Sequence, residues 1–185
     1  MKYLLLFLII FLFSCSSESD KSCTENENWI KSSSIEVYFS PKNGIDDVIS
    51  YNISNAKNTI DMAIYDFTNE TISNALILAR QQGVKIRVYN DKNPQEKEVE
   101  LLEKLENAGI SVKNANPADW NENVNAYMAI MHNKFIVIDK KIVITGSYNF
   151  SENAEENNRE NLIVIPNEII AEQYTNEFEK YWVNP

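Results

Sequence analysis

From Ile35 onward the spacing of apolar residues switches between a period of two and a period near 3.6, and this switching narrows the possible folds more than any other feature. Ile35 to Phe39 alternates as a short strand, Ile45 to Ala56 reads as a helix, and Thr59 to Tyr65 returns to alternation. Glu70 to Gln82 places Ile72, Ala75, Leu76 and Ala79 on one helical stripe, and Gly83 stops it. Val84 to Tyr89 is a strand. Pro94 to Ala108 is a helix opened by proline and closed by Gly109, with Val99, Leu102, Leu105 and Ala108 expected inward. Its many Glu and Lys residues are expected to form a solvated face. Ile110 to Val112, Phe135 to Ile138, Ile142 to Ile144 and Leu162 to Ile165 are further strands, the middle two joined as a hairpin by Asp139-Lys140-Lys141. Glu168 to Trp182 is a last helix. Strands alternating with helices predict an α/β layered domain, its sheet covered on both faces, over residues 35–185 and without internal repeat.

The first residues stand apart from this pattern. Met1-Lys2 and the apolar run Tyr3 to Phe13 have the layout of a signal peptide and are too short to span a bilayer. The run ends in Leu12-Phe13-Ser14-Cys15, which resembles a bacterial lipobox. That resemblance implies a lipoprotein signal peptide over 1–14, lipid on Cys15, and a protein anchored to a membrane of the bacterial cell envelope, on its periplasmic or extracellular face. Residues 16–34 are polar, serine-rich and aperiodic, a flexible tether reaching ~60–70 Å when fully extended. With Cys15 lipidated, only Cys23 keeps a thiol, so no intrachain disulfide can form.

Residue counts remove several chemistries. One histidine cannot supply a multi-histidine metal centre, and two cysteines cannot supply a four-cysteine zinc site. With 17 basic and 27 acidic residues the formal charge is −10, so the overall field does not attract polyanions.

One segment carries chemistry: Met131-His132-Asn133-Lys134, then Asp139, then Gly146-Ser147-Tyr148-Asn149. Strand periodicity puts His132 and Lys134 on one face, about 6–7 Å apart along the chain. Lysine supplies charge to phosphoryl oxygens, and imidazole can attack phosphorus or donate a proton. Gly146 allows close backbone approach, and Ser147 and Asn149 offer donors to the same oxygens.

The pattern H-x-K-x4-D-x6-G-S-x-N resembles the HKD signature of the phospholipase D superfamily at all six fixed positions. The likeness extends to Tyr65-Asp66-Phe67-Thr68, to Gly83 through Val88, and to Asn158-Arg159-Glu160-Asn161. It covers about residues 35–182 and is similar to the single-motif members, the small bacterial endonuclease and the mitochondrial cardiolipin hydrolase group. The resemblance implies a phospholipase D-like layered sandwich with a mixed, mostly parallel sheet flanked by helices on both faces. It implies a catalytic set of His132, Lys134, Asp139 and Glu160, with His132 as nucleophile forming a phosphohistidine and Glu160 orienting the imidazole. Lys134, Ser147 and Asn149 would hold the phosphate. Asp139 belongs to the motif but falls on the opposite strand face from His132, so a structural role is expected for it, pairing with a nearby base or backbone amide. No cofactor or metal is required.

The mechanism uses two imidazoles, one to attack phosphorus and one to protonate the leaving oxygen. A chain with one histidine is therefore expected to act as a homodimer that shares its site across the twofold. For the substrate, a lipid anchor favours phospholipid. A nonspecific DNA or RNA endonuclease is the alternative, drawing on a local basic patch of Lys134, Arg159, Lys140 and Lys141. A non-catalytic phosphate-binding lipoprotein is a third reading, opposed by the complete motif. Ala115 to Ala129, with Trp120, Tyr127 and Met128, is expected to border the cleft.

Overall fold

The computed structural model describes residues 34–116, 123, 125 and 128–183. The expected leader, Cys15, Cys23, the tether before residue 34, Trp120 and Tyr127 lie outside the described residues. The elements run β1 (Glu36–Phe39), α1 (Ile45–Ser54), β2 (Thr59–Ile64), α2 (Glu70–Gln81), β3 (Lys85–Asn90), α3 (Glu96–Asn107), β4 (Ser111–Asn114), β5 (Lys134–Ile138), β6 (Ile142–Gly146), α4 (Glu152–Glu156), β7 (Asn161–Pro166) and α5 (Glu168–Val183). The seven strands form one sheet in the order β1-β7-β6-β5-β2-β3-β4.

The sheet is mixed, as expected, but not mostly parallel. Only β2–β3 and β3–β4 pair parallel. The pairs β1–β7, β7–β6, β6–β5 and β5–β2 are antiparallel. Parallel neighbours need a crossover, which α2 and α3 provide; β5 and β6 are joined by a tight hairpin, which can only produce antiparallel neighbours.

Alternation along the strands sorts side chains into two cores. Ile60, Met62, Ile64, Ile136, Ile138 and Ile144 pack with Ile45, Ile49 and Ile53 of α1, Ile72 and Leu76 of α2, and Leu102 and Leu105 of α3. Ala63, Tyr89, Phe135, Val137 and Val143 pack with Ala171 and Phe178 of α5 on the other face. The helix ends follow from capping chemistry. The Asn69 side chain accepts the Ile72 N–H at the start of α2. At α1 the N-cap is Gly44, which has no side chain to offer; the Glu155 carboxylate accepts the Gly44 and Ile45 N–H groups instead, at 2.8 and 3.0 Å. That carboxylate is carried by α4, which hydrophobic periodicity does not reveal.

The inward face of α3 also differs from expectation. Glu98, Leu101, Leu102 and Leu105 are buried, while Val99 is exposed. Glu98 turns back to accept the Gln95 N–H and reaches across to accept the Phe67 N–H at 3.0 Å. A charged residue thus takes an inward position because two otherwise unpaired backbone donors need it. Burial pushes its carboxyl up to about 7.

Candidate active site

The strand register brings the motif to one edge of the sheet. Lys134, the first residue of β5, is paired with Ile64 at the end of β2. Gly146, the last residue of β6, is paired with Leu162 near the start of β7. That edge therefore collects His132 before β5, Tyr65 and Asp66 after β2, Ser147 and Asn149 after β6, and Glu160 before β7.

His132 is exposed, with its ring in edge contact with Tyr65 at 4.6 Å between centroids. Lys134 is 8% exposed. Its ammonium donates to the His132 carbonyl at 2.9 Å and lies 5.1 Å from the centre of the Tyr65 ring. Burial lowers the Lys134 pKa, while Glu160 and Asp66 oppose that shift. His132 is lowered by burial and by Lys134, and raised by Asp91. Asp66 is raised by burial, against a Ser151 hydrogen bond and the Lys134 charge.

The Ser147 hydroxyl donates to Glu160 at 2.6 Å and accepts from the Asn161 N–H at 3.1 Å. Asn158 donates to the other Glu160 oxygen at 3.2 Å. Among the described residues no hydrogen bond joins Glu160 to His132 of the same chain; each Glu160 oxygen accepts one bond, from Ser147 or Asn158, and keeps capacity for another. Asn149 has its Oδ1 buried without a hydrogen-bond partner among the described residues. Gly146 is required here, since a Cβ at this position would lie 2.1 Å from the Asn161 carbonyl oxygen. That same carbonyl accepts the Ser147 and Tyr148 N–H groups. An open cleft of about 690 Å³, lined by Phe39, Ser40, Pro41, Asn157, Arg159, Glu160 and Asn161, adjoins the cluster.

Asp139 is elsewhere. It follows β5 at the opposite edge of the sheet, where its carboxylate accepts the N–H groups of Lys57, Asn58 and Thr59 at 2.8, 2.6 and 2.9 Å. Its own N–H donates to the Thr59 carbonyl at 2.8 Å. Lys140 and Lys141 sit in the same hairpin, with Lys141 3.8 Å from Glu168. The basic patch of Lys134, Arg159, Lys140 and Lys141 therefore does not form, because β5 separates Lys134 from the two hairpin lysines by its full length. Met128 is exposed. Among the described residues no group of three or more His, Cys, Asp or Glu side chains is placed to hold a metal ion.

An exposed imidazole beside a buried ammonium, with a hydroxyl, a carboxamide and a carboxylate at the same ends of neighbouring strands, has the groups that phosphoryl transfer uses. Fold and site together define a hydrolytic phosphodiesterase. Residues 49–182 match the family model described as cardiolipin synthase, PLD-like domain. The chain is 33% identical over 159 residues to a phospholipase D of Rickettsia conorii, covering 86% of this chain and 72% of that one. It is 28% identical over 127 residues to a mitochondrial cardiolipin hydrolase of Xenopus tropicalis, covering 69% of this chain and 56% of that one. The solved structure of a phospholipase D family member, Nuc from Salmonella typhimurium, superposes with a TM-score of 0.73 at 29% identity, covering 82% of this chain and 95% of that one. The chain belongs to the phospholipase D superfamily, as a member with a single HKD motif.

Three residues of the site were not given roles by the motif. Tyr65 and Asp66 directly follow β2, in the segment that carries part of the family likeness. Asp91 is one polar residue past an apolar strand, and spacing alone does not single it out.

Proposed function

We propose that this protein is a phospholipase D that hydrolyses phospholipid through a phosphohistidine intermediate, as a homodimer in which two copies of His132 meet. The observation that carries the reading is the pairing of an exposed imidazole with a buried Lys134 ammonium in a chain that has no second histidine. An imidazole nitrogen of His132 attacks phosphorus and forms an N–P bond. The P–O bond to the headgroup alcohol breaks, and the imidazolium of His132 from the second copy protonates the departing oxygen. Water then attacks phosphorus, that second imidazole takes its proton, and the N–P bond breaks to release phosphatidic acid. Lys134, Ser147 and Asn149 hold the non-bridging oxygens, and the buried ammonium offsets their charge in a region where water screens it little. Glu160 is then available to the imidazole of the second copy.

Phospholipid is favoured over nucleic acid by two features. Ile35, directly before edge strand β1, and Val37 and Phe39 within it are 60%, 52% and 61% exposed, an apolar stripe that ends in the cleft holding Arg159 and Glu160. The hairpin lysines that would have helped to grip a polyanion lie at the far edge. We also place the protein in the bacterial cell envelope, held to the membrane by lipid on Cys15.

Purified protein and its His132→Ala variant, each offered phosphatidylcholine vesicles, plasmid DNA and RNA, test the substrate. Headgroup release that the variant lacks is expected; nucleic-acid cleavage without headgroup release overturns the phospholipid reading. Activity in a species that sedimentation shows to be monomeric overturns the shared site. Loss of membrane association in Cys15→Ser is expected if Cys15 is the anchor.

A further inference from the structure

The loop that carries His132 is held from behind by a carboxylate that no step above employs. Asp91 directly follows β3 and is 4% exposed. Its Oδ1 accepts the Met131 N–H at 2.8 Å, and its Oδ2 accepts the Asn93 N–H at 3.3 Å. Met131 is itself buried in the core beneath α5. The residue before the nucleophile is therefore fixed twice, by its side chain and by its amide. An ionised acceptor binds an N–H more strongly than a neutral one, and a buried amide deprived of its acceptor is costly. Any shift of the Met131 peptide passes directly to His132.

Charge points the same way. From β5, Lys134 faces the imidazole; from the end of β2, Tyr65 contacts it. Asp66 after β2 and Glu160 before β7 act on Lys134. From β3, Asp91 is the group whose negative charge acts on His132 itself and counters Lys134. An imidazole that must be an unprotonated nucleophile in one copy and a protonated acid in the other needs both protonation states within reach.

We infer that Asp91 is a positioning residue for His132, anchoring the catalytic loop through the Met131 N–H and balancing the Lys134 charge beside the imidazole. The inference rests on histidine chemistry at this site and not on phospholipid being the substrate.

The single histidine makes the test direct, because the imidazole Cε1–H gives one resonance in the proton NMR spectrum of the intact protein. Asp91→Asn keeps an oxygen for the Met131 N–H and removes the charge. Its His132 titration is expected at lower pH than in the unmutated protein, with the pH profile of bis(p-nitrophenyl) phosphate hydrolysis moved in the same direction. Asp91→Ala also removes the acceptor and is expected to lose about 10²-fold in kcat/KM at every pH, the scale of a misplaced reacting group. An unmoved His132 titration in Asp91→Asn, or equal losses in the two variants with an unmoved profile, overturns the inference. In the unmutated protein the Met131 amide proton, donated to a buried carboxylate, is expected to be strongly protected from exchange with deuterium, and a Met131 amide that exchanges as fast as an exposed one also overturns it. This last measurement needs no variant to fold, and none of them depends on which phosphodiester is the natural substrate.

Discussion

Replacing Asp139 by alanine removes the acceptor of three consecutive backbone N–H groups, those of Lys57, Asn58 and Thr59. Hydrogen bonds to a charged acceptor contribute about 1.5–3 kcal/mol each when shielded; with Lys57 and Asn58 exposed, about 1 kcal/mol for each is the appropriate scale. Asp139 also has a φ of 53°, in the left-handed region that aspartate and asparagine tolerate better than alanine, which adds ~1 kcal/mol. The expected loss is about 3–4 kcal/mol, or on the order of 10 °C in Tm for a domain of this size. Asp139→Asn should lose only ~1 kcal/mol. Its Oδ1 still serves Asn58 and Thr59, while its amide nitrogen replaces the oxygen facing the Lys57 N–H. Burial pushes the Asp139 pKa up, but the three amides outweigh it and hold it below its ordinary 3.8. A depressed carboxylate stabilises the fold above its unfolded pKa and loses that contribution as pH falls through the folded value. The gap between unmutated protein and Asp139→Ala should therefore narrow below about pH 4, towards the part set by the left-handed φ. Urea unfolding at several pH values measures this, and kcat per folded molecule measures the rest. Because Asp139 lies at the opposite sheet edge from His132, kcat should stay within about threefold of the unmutated value. A loss of 10²-fold or more in a variant as stable as the original would refute the structural assignment.

Glu98 makes the opposite pH prediction. Its folded pKa is raised from 4.5 to about 7, so its stabilisation is full below 4.5 and declines as pH rises through 7; urea midpoints should fall over that interval, and Glu98→Gln should flatten the decline. Arg87 bridges Asp61, which is 5% exposed, to Glu179 on α5, and its guanidinium packs over Phe178 and Trp182. Arg87→Ala strands a buried carboxylate, and equilibrium unfolding should register a loss of about 3 kcal/mol. Gly146→Ala forces a Cβ to 2.1 Å from the Asn161 oxygen, so β6 and β7 must separate where Ser147 meets Glu160. Both Tm and kcat should drop, with kcat falling by about 10²-fold; a variant with unchanged activity would show that this edge can relax without cost.

Much of the molecule follows from local pattern. Strand and helix periods are properties of neighbouring residues, and so is the spacing that unites His132, Lys134, Ser147 and Asn149. The elements fell within a few residues of where periodicity put them, except for α4, whose five residues are too few to show a period. What local pattern does not encode is which distant backbone groups lack a partner. Glu155 caps α1 from more than a hundred residues away, Glu98 turns inward to reach Phe67, and Asp91 reaches Met131 across the sheet. Each of these is a polar side chain at a position that reads as solvated surface or as a loop, until tertiary packing buries an unpaired N–H beside it. The same holds for the strand directions, which depend on pairings between segments far apart in the chain, and for Lys140 and Lys141. Those two are close to Lys134 in sequence, yet rigid β5 carries them to the other edge. Sequence alone determined the chemistry available to this protein, since one histidine in this spacing permits few others. Tertiary structure decided which motif residues share the site and which hold the sheet, because that depends on the direction in which each strand runs.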